Sequence, residues 1–407
     1  MGYSKVAIKG VSWVGALRLA TRFIALFRTV VLARLLTPAQ FGVYGIAALV
    51  IELVEILTET GINVFLIQEK ARIKNYLSTA WLVSIARGVI IFLVIVGMAP
   101  LVAAFFKNAS ALPLILLISL VPLIRGFINP SLVTFQKELQ FGREFWFRLT
   151  VFFIDSAMAV ILAILTREAS SLVWGLIAGS VAEVALSFIF IKPRPQFTFD
   201  TGQLRKIINR GKWVTLAGIF DYFFRRGDDM VVGRMLNAYS LGLYQMAYRL
   251  AELPITEVAV VVSRVTFPIY TKIATDRVRL QKAFVKTMLI ISLIIIPIGI
   301  ILFVFPSFII EIILGSKWRE AAAVLQVLAI FGVIRAFANS FNSLFLAVKK
   351  QEYATIMMLV GLAGLGISIV PLVIKFGIVG AGISAIMGSL VALPVALYLS
   401  WKVFKNI

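Results

Sequence analysis

Cysteine and histidine are both absent from the 407 residues. Without cysteine there is no disulfide framework and no thiolate to act as nucleophile or ligand. Without histidine the commonest metal ligand is missing, along with the side chain that titrates nearest neutrality. These gaps remove most of the usual catalytic toolkit, so an enzyme is not expected and neither cofactor nor metal site is read. Acidic residues are also scarce, 19 against 40 Lys and Arg, and charged residues of all kinds make up only 14%. What is abundant is hydrocarbon: 61% of the chain is hydrophobic and the mean hydropathy is +0.99, far from the globular balance of about 45–50% apolar and about 25% charged.

The apolar residues come in runs of roughly 20 to 28, each long enough for a helix to cross about 30 Å of hydrocarbon. Alternating ten-residue amphipathic strands are absent from the pattern, which argues against a membrane barrel. A net charge of +21 would suit nucleic acid, but the basic residues are scattered through connecting loops and do not form one stripe, so no nucleic-acid partner is expected. The start MGYSKVAIKG leads into a long stretch with no small-residue cleavage site, and the first helix is expected to stay in place.

About twelve spans are predicted, at 11–33, 42–67, 77–105, 110–128, 145–166, 171–191, 212–234, 241–268, 284–306, 320–346, 352–374 and 378–401. The fold class is therefore an all-α polytopic membrane protein. With the N-terminus inside, the clusters Lys5/Lys9, Lys70/Arg72/Lys74, Lys137/Arg143/Arg148, Lys192 to Lys212, Lys272 to Lys286, Lys349/Lys350 and Lys402/Lys405 all fall in the cytoplasm. Short loops rich in Lys and Arg resist translocation, so a multi-pass protein of the cell membrane with both termini cytoplasmic is expected. All seven tryptophans (Trp13, Trp81, Trp146, Trp174, Trp213, Trp318, Trp401) fall near predicted span ends, where an indole would sit at headgroup level.

The sequence also repeats. ARLLTPAQFGVYGIAALVIEL (33–53) matches GRMLNAYSLGLYQMAYRLAEL (233–253), keeping Arg34/Arg234, Leu36/Leu236, Gly42/Gly242, Tyr44/Tyr244, Ala47/Ala247, Glu52/Glu252 and Leu53/Leu253 at an offset of 200. Trp13/Trp213 and Phe23/Phe223 extend that register, and IRGFIN (124–129) matches IRAFAN (334–339) at an offset of 210. Spans one, two and four thus recur as seven, eight and ten. Two six-helix lobes of like orientation are expected, related by a pseudo-two-fold axis along the membrane normal with substrate between them. The division is 1–192, 193–211 and 212–407. The middle segment is a cytoplasmic linker whose Leu204, Ile207 and Ile208, interleaved with Arg205, Lys206 and Arg210, form an amphipathic helix for the anionic membrane surface.

About a dozen charges fall inside the predicted spans. At about 2.5–3.5 kcal/mol each at the bilayer centre they would together cost on the order of 30 kcal/mol if they faced lipid. They must therefore face one another or water. Arg18 and Arg22 share a face of span one, with Arg28 on a flank; Glu52, Glu55 and Glu59 make an acidic stripe on span two; Arg249, Glu252 and Glu257 lie on span eight. The arginines are either a site for phosphate or another anion, or partners of the span-two glutamates. Arg125 and Arg335, beside Asn129 and Asn339, either line a cavity or latch the inner helix ends. Asp221, Asp228 and Asp229 on span seven are candidates for a coupling cation, Na⁺ or H⁺, with neutralisation by Arg225 as the alternative. Arg34 and Arg234 in the duplicated turn read as caps or snorkelling anchors. GIVGAGISAIMG (377–388) has small residues at spacings suited to close helix packing.

ARLLTPAQFGVYGIAALV, ETGI at 59–62 with the following FLIQEK, FQKELQF at 135–141 and LGSKW at 314–318 together resemble the polysaccharide transporter family. These are the Wzx-like lipid-linked oligosaccharide flippases of the multidrug/oligosaccharidyl-lipid/polysaccharide exporter superfamily. The resemblance implies a pair of six-helix lobes around a cavity that opens alternately to each side. It implies transfer of a polyprenyl-diphosphate-linked glycan from the cytoplasmic to the outer leaflet, with membrane lipids and polysaccharide assembly proteins as partners. It further implies that Arg18, Arg22 and Arg28 line the cavity, as first-helix arginines do in related flippases. Many such relatives carry two further C-terminal helices, whereas the predicted spans here stop at the twelfth. Two other readings remain at this point: export of small cations or drugs on the same architecture, and a membrane glycan polymerase or ligase.

Overall fold

The computed structural model describes residues 3–58, 66, 74–198, 218, 222–223 and 225–406. Glu59, Asp221, the ETGI motif, most of predicted span seven and the amphipathic stretch 204–210 lie outside the described residues. Every element among the described residues is helical. The chain divides into two compact units, Met1–Arg225 and Arg226–Ile407.

The first unit begins with α1 (Tyr3–Leu35) and α2 (Pro38–Leu57), and the turn between them explains the first half of the repeat. Thr37 is the N-cap of α2: the Gln40 backbone N–H donates to Thr37 Oγ1 and the Thr37 N–H donates to Gln40 Oε1 at 2.8 Å, with Pro38 pre-set for the first helical turn. This capping box satisfies donors that a helix start otherwise leaves bare. The second unit does the same with Asn237, whose Oδ1 accepts the Ser240 N–H at 2.8 Å. Residues 33–53 and 233–253 thus resemble each other because each ends one helix and starts the next.

Then follow α3 (Lys74–Phe105), α4 (Ala111–Ile118), α5 (Leu120–Arg125), a 3₁₀ turn (Pro130–Val133), α6 (Thr134–Lys137), α7 (Phe141–Thr166) and α8 (Ser170–Phe190). α1 packs along α7, and α7 along α8. The last contact depends on glycine: a Cβ at Gly175 would lie 2.6 Å from Ala159 Cβ and 2.7 Å from the Asp155 carbonyl, and one at Gly179 would lie 2.8 Å from Asp155 Cβ. Two glycines one turn apart bring the α8 backbone onto α7 in the manner of small-residue membrane interfaces.

In the second unit, helical residues 226–235 precede α9 (Ala238–Lys272), α10 (Arg277–Val304), α11 (Pro306–Ile313), α12 (Ala321–Ala347) and α13 (Gln351–Asn406). α13 is broken at Gly377, with φ 58° and ψ −136°, a conformation essentially reserved to glycine. The break falls between the two spans predicted at 352–374 and 378–401. The small residues around it do pack closely, as their spacing suggests: a Cβ on Gly388 would lie 2.7 Å from the Gly361 carbonyl.

Seven helices among the described residues are long and apolar enough to cross a membrane, and side chains such as Leu293 (78% exposed) and Ile367 (80%) suit contact with lipid. The chain is a multi-pass, all-helical membrane protein. The expected count of about twelve is reached only by adding the charge-bearing α1 and α9, the predicted span 212–234 and a bent span, and by counting α13 as two.

That bent span departs from expectation. Stretch 110–128 reads as a simple span, yet Ala111–Arg125 and Pro130–Lys137 meet at 72°. At an offset of 210 its counterpart is α12, one unbroken helix over the matching range Ala321–Ala347. The first copy has Gly126 and Pro130 where the second has Ala336 and Ser340, and proline can neither donate to the ladder nor avoid the carbonyl four residues back. Both copies end alike, on left-handed Leu139 and Lys349. Gln140 N–H donates to the Phe135 carbonyl at 2.7 Å and Lys350 N–H to the Phe345 carbonyl at 2.8 Å, a Schellman closure in each.

The tryptophans divide. Trp146, Trp174 and Trp401 are exposed, as an interfacial belt requires, but Trp318 is wholly buried and Trp81 is buried with its Nε1–H on the Phe127 carbonyl at 3.1 Å. These two are core anchors, and the LGSKW motif is a tight turn with Gly315 at φ 98° leading to the buried indole.

Gly175→Val is expected to separate α7 from α8 at a cost of about 1–3 kcal/mol. Fluorescence-detected size exclusion after heating should show a melting midpoint several degrees lower, with Gly15→Val, which meets open space, as the neutral control.

Candidate functional site

The bent span has a consequence for the interior of the first unit. α3 and α5 cross in backbone contact, a Cβ at Gly88 falling 2.6 Å from the Pro122 carbonyl and one at Gly126 falling 3.0 Å from the Ser84 carbonyl. Just past this crossing the helix stops. Asn129 fixes the break: its N–H donates to Ser187 Oγ at 3.1 Å, its Nδ2 to the carbonyls of Ile191 and Pro193, and its Oδ1 accepts the Ser131 N–H at 3.0 Å. Between the break, α2, α3 and α8 lies a cavity of about 600 Å³, within the usual range for ligand sites.

Its walls are charged. α2 contributes Glu52 and Glu55, α3 Arg87, α5 Arg125, α7 Arg148 and α8 Glu183, with Arg225 at the end of the unit. Arg148 Nε donates to Glu144 Oε1 at 2.7 Å, and Gln136 donates to the same oxygen, so this guanidinium is neutralised. Arg125 reaches Glu183 at 3.8 Å, beyond hydrogen-bond length. Arg87 donates from NH2 to the Glu55 carbonyl at 2.7 Å and from Nε to Thr58 Oγ1 at 3.3 Å. It therefore caps the negative end of α2, and among the described residues it meets no carboxylate. Four arginines against three glutamates, with one guanidinium balanced only by carbonyl and hydroxyl dipoles, make a surface suited to phosphate oxygens.

The expected site residues distribute unevenly. Glu52, Glu55 and Arg125 are brought together on this cavity. Arg18 is half-buried and Arg22 exposed on α1, and neither is among the described residues lining it. Arg28 donates to Asp155 Oδ2 at 2.8 Å, an ion pair with both side chains nearly buried. Because α1 lies along α7, Arg28 meets a carboxylate of α7 and not the stripe on α2. Asp155 Oδ1 is buried with no hydrogen-bond partner among the described residues, and it faces Gly175.

In the second unit, Asp228 and Asp229 are adjacent and buried. Tyr244 donates its hydroxyl to Asp228 Oδ2 at 2.7 Å and Arg226 pairs with Asp229 at 3.3 Å. Arg335 pairs with Glu252 at 3.2 Å and donates to the Tyr248 hydroxyl, beneath the Phe331 ring. Arg249 is exposed on α9. Around Arg335 the space amounts to about 10 Å³, room for one water.

Arg87 is not among the candidate site residues read from the sequence, where Arg148 falls in a cytoplasmic cluster. A signal for the bend lay in the repeat: the glycine inside IRGFIN and the proline that follows it are replaced by alanine and serine in the second copy.

Helical spans, paired intramembrane charges and a polar cavity enclosed in one unit define a membrane transporter fold, and its relatives agree. The lipid II flippase MurJ, in an inward closed conformation, superposes with a TM-score of 0.79 at 18% identity, over 96% of this chain and 88% of MurJ. Residues 31–323 match the family model described as polysaccharide biosynthesis protein, and the chain belongs to that family. The Escherichia coli lipopolysaccharide biosynthesis protein WzxC is 25% identical over 354 residues, 86% of this chain and 72% of WzxC. A membrane protein of the cps region of Klebsiella pneumoniae is 29% identical over 85% of this chain and 72% of its own length.

Arg28→Ala leaves the Asp155 charge buried and alone, a loss of about 3–5 kcal/mol, while an apolar pair in the same place is often neutral or better. Thermal melts in detergent should therefore rank Arg28→Ala well below both the parent and the double variant Arg28→Leu with Asp155→Leu.

Proposed function

We propose that this protein is a flippase for cell-surface polysaccharide biosynthesis. It carries a polyprenyl-diphosphate-linked oligosaccharide from the cytoplasmic to the outer leaflet by alternating access and makes or breaks no covalent bond. Membership of the polysaccharide biosynthesis family and a fold shared with a lipid II flippase support the class. The observation that carries the substrate reading is the arginine-bearing cavity of the first unit. It has the volume of a diphosphate with its first sugars, guanidinium groups for the phosphates, and carboxylate and amide groups suited to sugar hydroxyls.

The side of loading follows from charge. The cavity borders the bend that leads into Lys137 and Arg143, a loop the positive-inside rule holds in the cytoplasm with both termini. Headgroup entry from the cytoplasmic leaflet is the direction that export requires. Moving one net charge across the membrane is worth about 2.3 kcal/mol per 100 mV, so the membrane potential or a Na⁺ or H⁺ gradient supplies the drive. Asp228 and Asp229, buried side by side, are the candidate carboxylates for that cation, which would compete with Arg226 for Asp229. Polysaccharide assembly proteins are the natural acceptors of the delivered glycan.

The test is transfer of a labelled polyprenyl-diphosphate oligosaccharide in proteoliposomes. The parent should transfer and the double variant Arg87→Ala with Arg125→Ala should lose at least about tenfold, each arginine–phosphate contact being worth about 1.5–3 kcal/mol. Equal transfer by a folded double variant would remove the cavity from the mechanism. Orientation is checked separately: the chain has no cysteine, so a single Lys405→Cys should react with a membrane-impermeant maleimide only after the cells are opened.

A further inference from the structure

The two units hold copies of one charged station and treat them in opposite ways. At offsets of 200 and 210 the counterparts of Glu52 and Arg125 are Glu252 and Arg335. In the second unit the arginine and glutamate meet at 3.2 Å, the Tyr248 hydroxyl takes another guanidinium hydrogen, and the Arg335 side chain is 22% exposed. In the first unit both residues stand on the cavity wall, but Arg125 turns to Glu183 at 3.8 Å with 43% of its side chain exposed. The surroundings follow suit. Tyr248, Ile255 and Phe331 fill the second copy; Ala48, Glu55 and Val121 occupy those positions in the first. The helix bearing the arginine runs unbroken in the second copy and breaks one residue after it in the first.

We infer that the duplicated station binds ligand in the first unit alone: Arg125 grips a phosphate or diphosphate, Glu183 is its displaceable internal counter-ion, and the Arg335–Glu252 copy is a closed twin that takes no ligand. At 3.8 Å, with 43% of the Arg125 side chain exposed, the pair is loose and has little to lose, whereas a phosphate offers the fork of Arg125 two parallel hydrogen bonds. Arg87, fixed on the end of α2, adds a second guanidinium to the same wall. The twin has no such margin, because its guanidinium is held by a carboxylate, a hydroxyl and an aromatic face and only about 10 Å³ lies beside it. Glu183 thus sets the threshold for binding: a weak anion leaves Arg125 on Glu183, and only a polyvalent one draws it away. The flippase reading supplies only the physiological ligand, and the anion site stands or falls without it.

The experiment is a double-mutant cycle on the full chain in neutral-lipid nanodiscs, with geranyl diphosphate as probe and inorganic pyrophosphate beside it to separate the phosphate contribution from that of the lipid. Glu183→Gln should tighten binding of both probes by about threefold to tenfold, in the lower part of the range of coupling between neighbouring residues. Arg125→Ala should weaken it by about tenfold or more, and in that background Glu183→Gln should gain nothing. Glu52→Gln removes an equal charge from the same wall without touching Arg125, so its effect should be the same in both backgrounds. Tyr248→Ala and Glu252→Gln in the twin should leave affinity within about twofold. If Arg125→Ala does not fold, Arg125→Lys replaces it in the cycle, keeping the charge and losing the fork. An equal gain from Glu183→Gln with and without Arg125, or a loss of binding in the twin variants as large as that of Arg125→Ala, overturns the inference. Binding that obeys the cycle in a protein that transfers no glycan would keep the site and remove the flippase reading; transfer without coupling would do the reverse.

Discussion

An ionised group inside hydrocarbon has no water to fall back on, and most of this structure follows from meeting that demand. Each buried charge described above is answered by a particular group: Arg28 by Asp155, Arg335 by Glu252 and Tyr248, Asp228 by Tyr244, Arg87 by the carbonyl end of α2. These answers decide the packing. Asp155 can sit between α7 and α8 only because Gly175 and Gly179 present no side chain there, and α1 lies where Arg28 can reach it. In the cavity of the first unit, by contrast, seven charged side chains line one space.

Much of this arrangement was legible in the order of residues. Spans predicted at 171–191 and 320–346 are helices at Ser170–Phe190 and Ala321–Ala347, because apolar run length is a local property that hydropathy reads directly. The break at Gly377 was legible for the same reason. The bend at 126–130 was legible only in the difference between the two copies, since hydropathy does not register the continuity of a hydrogen-bond ladder and Pro130 lies beyond the predicted end of its span. The intramembrane charges were recognised as needing partners, but which partner each takes depends on which helices lie together. Arg28 and Asp155 are 127 residues apart, and no spacing rule connects them.

The family motifs gain a physical meaning from the fold. TPAQ is a capping box, FQKELQF ends in a left-handed Schellman closure, and LGSKW is a glycine turn that buries an indole. All three shape the chain between helices, and none contributes a side chain to the cavity wall except the Gln136 amide. Sequence likeness in such motifs reports backbone geometry, while the charges of the cavity wall, such as Glu55, Arg87 and Glu183, are dispersed outside them.

The contrast between the bent span and α12 also has a mechanical side. A continuous helix behaves as a stiff rod, because bending it strains many hydrogen bonds in series. In the first unit the ladder is interrupted between Arg125 and Pro130, and what holds the gap is a set of contacts from one asparagine to the end of α8. Bending stiffness is therefore unequal along two otherwise equivalent rods: α12 transmits displacement from end to end, whereas its twin yields at a single compliant joint, directly beside the arginine that faces the cavity.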